Sequence, residues 1–276
     1  MVLLDVLAKQ TGLTLVVAHY DHGIRSDAQL DRELVQRAAQ HYGLNFVYDE
    51  GHLGAGASEQ TARNARYAFL RKVKQASKAR AIITAHHQDD LIETALLNML
   101  RGTRRRGLTS LKSTDEIIRP LLTTPKSVLV NYAATHKLIW HEDSTNSDAR
   151  YLRNHVRQTI TARMSSAQRA AFLELLQNLT VTNGDLDAQL MEYVRMHSKE
   201  AQLNRGHFIQ LPHIVAREVL ATWLHGQGLG GYDHKALERL VIMLKTLPPG
   251  KQADVSGGTV IKIGKSYLRL SAPERK

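Results

Sequence analysis

Residues 84–102 read TAHHQDDLIETALLNMLRG. The apolar run Ala81–Ala85 leads directly into two histidines and two aspartates, after which apolar residues recur at helical spacing. The stretch therefore predicts a strand that is followed at once by an amphipathic helix. The free N–H groups and the positive dipole end of this helix would face a ligand lying beyond the strand.

The same alternation runs through the first half of the chain. Apolar runs at Leu13–Ala18, Leu44–Tyr48 and Glu116–Leu122 predict further strands, and Pro120 places the last of them at an edge or a strand end. This order predicts an α/β fold with a doubly wound parallel sheet, whose ligands bind at the carboxyl ends of the strands. The predicted helix starts lie at Ser26, Ser58 and Pro125.

The second half has a different pattern of apolar residues. From about residue 165, apolar residues recur at helical spacing over several segments. Residues 248–270, PPGKQADVSGGTVIKIGKSYLRL, place turn residues between short alternating runs and predict a small terminal β-hairpin. We therefore expect an α/β domain over residues 1–164 and a helical region over residues 165–276 that ends in the hairpin.

The charge of the chain points towards a polyanionic partner. Lysine and arginine number 37 against 26 acidic residues, which gives a formal net charge of +11. Such an excess suits nucleic acid, although a merely basic soluble protein accounts for the total equally well. Clustering favours nucleic acid, and the clustered residues are Arg101, Arg104, Arg105, Arg106, Arg150, Arg153, Arg157 and Arg163.

Composition also excludes several classes of protein. The chain has no cysteine, which excludes a disulfide framework, a thiolate metal site and a cysteine nucleophile, and fits a cytoplasmic protein. No run of about 18 apolar residues occurs, so we expect no association with a membrane. The first residues do not resemble a signal peptide, because no basic segment precedes their apolar run.

Three polar residues of the opening stretch fall on one face of the predicted helix. His86, Asp90 and Glu93 are four and three residues apart, whereas apolar residues occupy another face. Carboxylates favour the first turn of any helix, which explains one acid without a site. Because it does not explain the whole cluster beside a strand end, we expect a functional site here.

Metal binding is a second interpretation of the same residues. The stretches HYDH at 19–22 and HHQDD at 86–90 contain enough ligands for a two-metal phosphohydrolase. Both patterns are short, and Mg²⁺ would need few protein carboxylates because phosphate oxygens complete its octahedron. The residues alone leave this interpretation open.

Two sets of arginines suit phosphate. Arg63 and Arg66 lie one turn apart, and the planar guanidinium group of Arg66 suits a phosphate ligand, although a solvated helix face is the simpler explanation. Arg150, Arg153 and Arg157 recur every three to four residues along a predicted helix. They would suit a phosphate backbone, or form an exposed basic helix with local ion pairs.

Six motifs, in order over about residues 2–160, resemble the tRNA(Ile)-lysidine synthetases of the N-type ATP pyrophosphatase superfamily. The motifs are VAHYDHGIR, ARNARYAFL, AHHQDDLIETALLNMLRG, RRRGLTSL, IIRPLL and EDSTNSDARYLRNHVR. The resemblance implies an adenine nucleotide alpha-hydrolase-like fold and a ligase that uses ATP and Mg²⁺. It implies that ATP adenylates the C2 carbonyl oxygen of the wobble cytidine in a tRNA(Ile) with a CAU anticodon. The ε-amine of free lysine then displaces AMP, and the lysidine product changes codon specificity from AUG to AUA.

The resemblance also implies roles for individual residues. We expect Glu93 to position the lysine, and Asp90 to hold a metal ion or the reacting centre, which makes these two the catalytic pair. The expected ATP-binding residues are Ala18, His19, Arg66, Ala85, His86 and Gly102. The expected tRNA-binding residues are Arg104, Arg105, Arg106, Arg150, Arg153 and Arg157. A homodimer is also compatible with the resemblance.

One departure from the family is the glycine-rich loop SGGxDS, which does not occur in this sequence; residues 256–258 read SGG but lack the following Asp-Ser. The strand before that loop should lie inside the sheet, so its neighbours should expose unpaired edges and an apolar gap. We expect Met1 to be an internal methionine or a fragment boundary, and the chain to release little pyrophosphate. A third interpretation is an inactive remnant that binds tRNA with a steep salt dependence, although binding would not need the acids and histidines.

Overall fold

A computed structural model describes residues 1–23, 28–54, 56–141, 152–230, 232, 234–256 and 258–271. The chain divides into two compact units, Met1–Leu176 and Gln177–Lys276. This division falls inside the helix Ser166–His197. The helix itself begins just after the boundary predicted between residues 164 and 165. Among the described residues, no helix is both long and apolar enough to cross a bilayer.

The first unit alternates strands and helices, as predicted. Its elements, in chain order, are α1 Val2–Ala8, β1 Val16–Asp21, α2 Ala28–His41, β2 Asn45–Glu50, α3 Glu59–Ala76, β3 Ile82–Ile83, α4 Gln88–Leu100, α5 Arg105–Leu108, β4 Ile117–Ile118, α6 Lys126–Thr135, α7 Leu152–Thr159, a 3₁₀ turn Thr161–Arg163, and the start of α8 Ser166–His197.

The strands of this unit form two separate parallel pairs. β1 pairs with β2 from Val16 opposite Asn45 to Asp21 opposite Glu50, and β3 pairs with β4. Parallel pairing and helical crossovers confirm the α/β prediction. Residues of β1 and β3 together line a cavity of about 970 Å³.

Local sequence explains where several elements begin. The Ser58 hydroxyl accepts a hydrogen bond from the Thr61 N–H at 3.1 Å, which confirms the predicted start of α3. Pro125 lies at the N-cap of α6 and not at its first helical position. β1 begins three residues later than predicted, and Leu13, Thr14 and Leu15 line the cavity before it. Ser26 lies outside the described residues.

A buried carboxylate joins three parts of the unit. The side chain of Asp5, in α1, is 3% exposed and accepts hydrogen bonds from Lys9 Nζ at 2.8 Å and Tyr132 Oη at 2.7 Å. Tyr42, just after α2, donates a third. Burial raises the pKa of Asp5, but these three donors outweigh burial and lower its pKa to about 2.

The second unit packs helices against an antiparallel sheet. Its elements after α8 are β5 Ser198–Lys199, β6 Gln202–Asn204, α9 Arg205–Gln210, α10 His213–Gly226, α11 His234–Thr246, β7 Gln252–Ser256, β8 Thr259–Ile263 and β9 Tyr267–Ser271. The strand order is β5-β6-β9-β8-β7, so the predicted terminal hairpin is part of a five-stranded sheet. The largest buried side chains of its core include Phe208, Trp223, Leu240 and Leu268.

Candidate functional site

The site is built on the first two turns of α4. Helix α4 begins after His87, and the Asp90 carboxylate accepts a hydrogen bond from the His87 backbone N–H at 2.9 Å. This is the reciprocal half of a capping box, in which an acid at the third helical position satisfies a free N–H group. Asp90 therefore has a structural role at the helix start in addition to its position in the acid cluster.

Glu93 lies one turn further along α4 and is almost completely buried, at 1% exposure. Arg157 binds it with two contacts, Nε to Oε1 at 2.7 Å and Nη2 to Oε2 at 2.9 Å. Arg153 Nε donates to Oε2 at 3.0 Å. Charge-assisted hydrogen bonds of this kind compensate the cost of burying a carboxylate. Glu93 can therefore meet a lysine amine only if one of these arginines moves.

Arg153 joins the acids of two helices. Besides Glu93, it contacts Asp90 Oδ1 through Nη2 at 3.1 Å and Glu59 Oε1, in α3, through Nη1 at 3.1 Å. Burial lowers the pKa of Arg153, but Asp90 and Glu93 outweigh burial and raise it. The hydrogen bond to Glu93 likewise raises the pKa of Arg157. Both guanidinium groups therefore stay charged where they meet the acids.

Two of the predicted tRNA-binding arginines, Arg153 and Arg157, contact the carboxylate of Glu93. Spacing by four residues along α7 places Arg153 and Arg157 on one face, which packs against α4. Arg150 lies outside the described residues. Arg104 and Arg106 are exposed at the start of α5, and Arg105 is half-buried there.

An arginine-rich cavity of about 510 Å³ opens beside the acid cluster. Its lining alternates cationic, neutral polar and apolar groups, so it suits an anionic ligand with a planar or apolar part. The lining residues are Glu59, Gln60, Arg63, His86, Thr94, Leu97, Asn98, Arg101, Ser110, Leu111 and Arg153.

His86, at the end of the strand that precedes α4, lines this cavity as a neutral imidazole. Its Nδ1 lies 2.9 Å from the Thr84 hydroxyl. Burial is the main cause that lowers its pKa to about 4; Asp90 opposes the shift, whereas Arg119 and Arg66 reinforce it. A neutral ring can donate or accept one hydrogen bond without bringing charge to a ligand.

Arg66 connects the two polar clusters that the sequence singled out. Its positive charge lowers the pKa of both His22, beyond β1, and His86, although burial is the larger cause for each. Arg66 is half-buried, with its guanidinium carbon 5.7 Å from the centroid of the Tyr67 ring, so the solvated-face explanation does not hold for it. The structure thus brings the ends of β1 and β3 to one edge, as predicted.

Two buried histidine ring nitrogens lie at this edge of the unit. Among the described residues, the Nδ1 atoms of His22 and His87 are buried and make no hydrogen bond. Buried polar atoms without a partner are uncommon, so each marks a place where a ligand or water would bind. His19 is also half-buried there, and burial lowers its pKa.

The remaining predicted nucleotide residues are spread more widely. Ala18 lines the cavity between β1 and β3, and Ala85 is exposed after β3. Gly102 follows the C-cap of α4 with φ +68°, a left-handed conformation that glycine adopts without strain and that ends the helix.

Sequence reasoning missed several residues of the cavity. Glu59 is in the first turn of α3 and contacts Arg153, which is 94 residues away in the chain. The spacing of residues along the sequence cannot reveal a contact of that range. A signal did exist on α4, where Asp90, Thr94, Asn98 and Arg101 follow one another at helical spacing. Asn98 donates to Gly107 O at 2.7 Å, so it also positions the chain after α4.

The metal-site interpretation has no support in the part of the chain that the structure describes. There, no group of three or more histidine, aspartate or glutamate side chains is placed to hold a metal ion. Both oxygens of Asp90 already accept hydrogen bonds, and Asp89 pairs with Arg169 at 3.1 Å.

Residues 1–164 match the family model of the PP-loop domain. The chain is 33% identical over 281 residues to a tRNA(Ile)-lysidine synthase of Thermus thermophilus, covering 94% of this chain and 54% of the relative. It is 30% identical to the enzyme of that name from a Nostoc species, covering 99% of this chain and 87% of the relative. The chain spans about half the length of several curated relatives that it matches.

A solved structure supports the fold. The U34-tRNA thiolase NcsA from Methanococcus maripaludis superposes with a TM-score of 0.51 at 15% identity, and the match covers 64% of this chain and 66% of that one. At this identity the likeness concerns the fold alone.

Proposed function

The chain belongs to the tRNA(Ile)-lysidine synthase family of PP-loop proteins, and we propose from this that it takes part in ATP-dependent C–N ligation on tRNA(Ile). In this proposal the substrates are ATP, free lysine and a tRNA(Ile) with a CAU anticodon. The observation that carries it is the acid and arginine cluster at the start of α4, beside an arginine-lined cavity.

The proposed reaction has two steps. The C2 carbonyl oxygen of the wobble cytidine attacks the α-phosphorus of ATP, so that a C2–O–AMP linkage forms and pyrophosphate leaves. The ε-amine of lysine then attacks C2, the C2–O bond breaks, AMP leaves and the amine loses a proton. A carboxylate serves this step twice, because it binds the ammonium form and then accepts the proton.

We assign the amine to Asp90, and we give Glu93 a positioning role. Asp90 is half-buried at the rim of the cluster, whereas Glu93 is enclosed by Arg153 and Arg157. Glu93 therefore fixes the two guanidinium groups, and that of Arg153 orients the Asp90 carboxylate. This differs from the expectation that Glu93 positions the lysine, since its side chain is 2% exposed whereas that of Asp90 is 17% exposed.

The cavity beside the cluster is the proposed nucleotide site. Arg63, Arg101 and Arg153 supply positive charge for phosphate oxygens, and the neutral His86 ring supplies a hydrogen bond. Mg²⁺ would neutralise phosphate charge when bound. Asp90 is the residue that would hold it, but its two oxygens have donors already, so most ligands of the ion would be phosphate oxygens.

The proposed tRNA contacts are the exposed arginines of α5, Arg104 and Arg106, together with Arg105. Their charge and the overall excess of +11 suit a phosphate backbone. Arg150, outside the described residues, stays a predicted contact. A cytoplasmic location fits a protein that modifies tRNA, and we propose it on that ground.

The decisive experiment supplies the chain with ATP, labelled lysine and tRNA(Ile) bearing either CAU or an altered anticodon. Because the sequence lacks the SGGxDS loop, we expect little turnover, with the label that is incorporated found in the CAU tRNA only and one AMP released per lysine joined. A matched pair of variants tests the assignment of roles: Asp90→Asn should abolish transfer, whereas Arg37→Met, at an exposed arginine of α2 outside the cluster, should not. Salt-dependent tRNA binding without any lysine transfer would refute the ligase proposal in favour of a binding protein.

A further inference from the structure

Arg119, in the IIRPLL motif, is a buried cation that has no part in the reaction proposed above. It follows β4 directly and is only 6% exposed. Its guanidinium group donates to two neutral oxygens, the carbonyl of Lys112 through Nη1 and the hydroxyl of Tyr67 through Nη2 at 3.4 Å. Among the described residues, its buried Nε makes no hydrogen bond. Burying a cation in this way is costly, and such costs are expected at functional sites more than elsewhere.

Two hydrogen bonds of Arg119 hold a stretch that forms part of the arginine-lined cavity. Its backbone N–H donates to Ser113 Oγ at 2.9 Å, and Nη1 donates to the Lys112 carbonyl. Ser110 and Leu111, earlier in the same stretch, line the cavity. The stretch lies between α5 and β4, outside the regular elements, so its position depends on contacts of this kind.

A third hydrogen bond joins Arg119 to helix α3. Its Nη2 donates to the hydroxyl of Tyr67, whose side chain is also buried. The guanidinium carbon of Arg63 lies over the Tyr67 ring, 4.9 Å from its centroid, and Arg63 lines the cavity. A cation–π contact fixes a guanidinium group only as well as the ring itself is fixed. Arg119 therefore supports the ring on which an arginine of the proposed phosphate site lies.

The charge of Arg119 also acts on His86, the neutral ring of the cavity. Burial is the main cause that lowers the pKa of His86 to about 4, and Asp90 opposes the shift. Arg119 is the first of the positive charges that reinforce it, ahead of Arg66 and Arg63. Arg119 thus influences a third group of the lining, in addition to the two that it supports through hydrogen bonds.

We propose that Arg119 is a positioning residue for the nucleotide cavity: without lining it, Arg119 holds the wall at residues 110–113 and the Tyr67 ring that carries Arg63. This inference rests on the proposed function, because it takes the ligand of the cavity to be ATP. The groups concerned come from separate parts of the chain, α3 and the stretch before β4, and Arg119 bonds to both. Loss of its side chain should therefore displace several ligand-binding groups at once.

The test measures the affinity of the chain for ATP, and separately for free lysine, by titration calorimetry. Arg119→Met removes the charge and both side-chain hydrogen bonds, and should weaken ATP binding at least about tenfold. Arg119→Lys keeps the charge and can still donate to the Lys112 carbonyl, so its ATP affinity should stay within about threefold of the wild type. Arg37→Met, at an exposed arginine of α2, is the matched control and should change neither affinity.

Two further readouts distinguish positioning from a general loss of stability. Lysine affinity should be the same in Arg119→Met as in the wild type, because Asp90 is held by Arg153 and by the start of α4. Hydrogen exchange in the free protein should become faster over residues 108–114 and change less in α4. If Arg119→Met does not fold, Arg119→Lys should show this faster exchange and a loss of ATP affinity of about two- to threefold, since an ammonium group lacks the planar fork that serves both acceptors.

The possible failures are distinguishable. Equal ATP affinities of Arg119→Met and Arg37→Met would overturn the inference and leave the nucleotide cavity in place. Parallel losses of ATP and lysine affinity, or of exchange protection throughout α4, would reduce Arg119 to a structural residue. A loss in Arg119→Lys as large as that in Arg119→Met would also contradict the inference, since the charge and one donor remain. Failure of the wild-type chain to bind ATP would instead reject the proposed site, and the role of Arg119 with it.

Discussion

The replacement of Arg157 by methionine tests the claim that two guanidinium groups hold the buried Glu93 carboxylate in place. The variant removes contacts of 2.7 and 2.9 Å to a carboxylate that is 1% exposed, and leaves Arg153 Nε at 3.0 Å as its remaining guanidinium partner at that distance. Removing one partner of a buried ion pair costs about 3–5 kcal/mol. Because Arg153 stays in place and the Arg157 side chain is one-third exposed, we expect about 2–3 kcal/mol.

The measurement must report on the first unit alone, since the two units need not unfold together. Hydrogen exchange by mass spectrometry, at increasing urea concentration, gives the opening free energy of peptides from α4 and α7. Arg163→Met is the matched control, because Arg163 is exposed and lies just after α7. A surface change of this kind should cost less than about 0.5 kcal/mol.

Equal free energies for the two variants would refute the reasoning. Such a result would mean that the pair of guanidinium groups does not hold the Glu93 carboxylate. A loss confined to α8 peptides would also contradict it, since the contacts of Arg157 with Glu93 join α7 to α4.

Three further predictions concern the first unit. Asp5→Asn should destabilise it by about 2 kcal/mol at neutral pH; because the pKa of Asp5 is lowered from 3.8 to about 2, this difference should persist above pH 4 and shrink as pH falls towards 2 in urea titrations. His86 should remain neutral in NMR titrations from pH 8 to about 5, since burial lowers its pKa to about 4, and a midpoint near 6.5 would contradict this. Ser58→Ala should cost about 1 kcal/mol in exchange measurements on α3, whereas Ser58→Thr should retain most of the cap.

The sequence predicts elements well where the governing contacts are local. The cap at Ser58, the helix after His87 and the strand before Thr84 all follow from short-range spacing and hydrogen bonding. The five-stranded sheet was predicted only as a hairpin, because β6 has three residues and pairs with Tyr267–Arg269 of β9, more than 60 residues away. The periodicity of a sequence does not show which strands pair when they are so far apart in the chain.

The same distinction explains the site. Spacing placed Arg153 and Arg157 on one face of α7 and Asp90 and Glu93 near one face of α4. It does not tell which helix faces which, because the partners are about 60 residues apart in the chain. A basic stripe suits a phosphate backbone and a buried acid pair equally well, and only the tertiary contacts distinguish the two.

The charges of the cluster bear on how a lysine amine would enter. Among the groups that hydrogen-bond to one another in the cluster, three carboxylates, from Glu59, Asp90 and Glu93, meet two guanidinium groups, which leaves one negative charge in excess within that set. A single ammonium group would neutralise that excess without displacing either arginine. An amine and a Mg²⁺ ion bound together would give the cluster a net positive charge, unless phosphate oxygens bound with the ion. We therefore expect lysine binding to be tightened by Mg²⁺ only when ATP is present, and to be weakened by Mg²⁺ alone; calorimetric titration of lysine under the four conditions measures this. Equal lysine affinity in all four would mean that the amine binds away from these carboxylates.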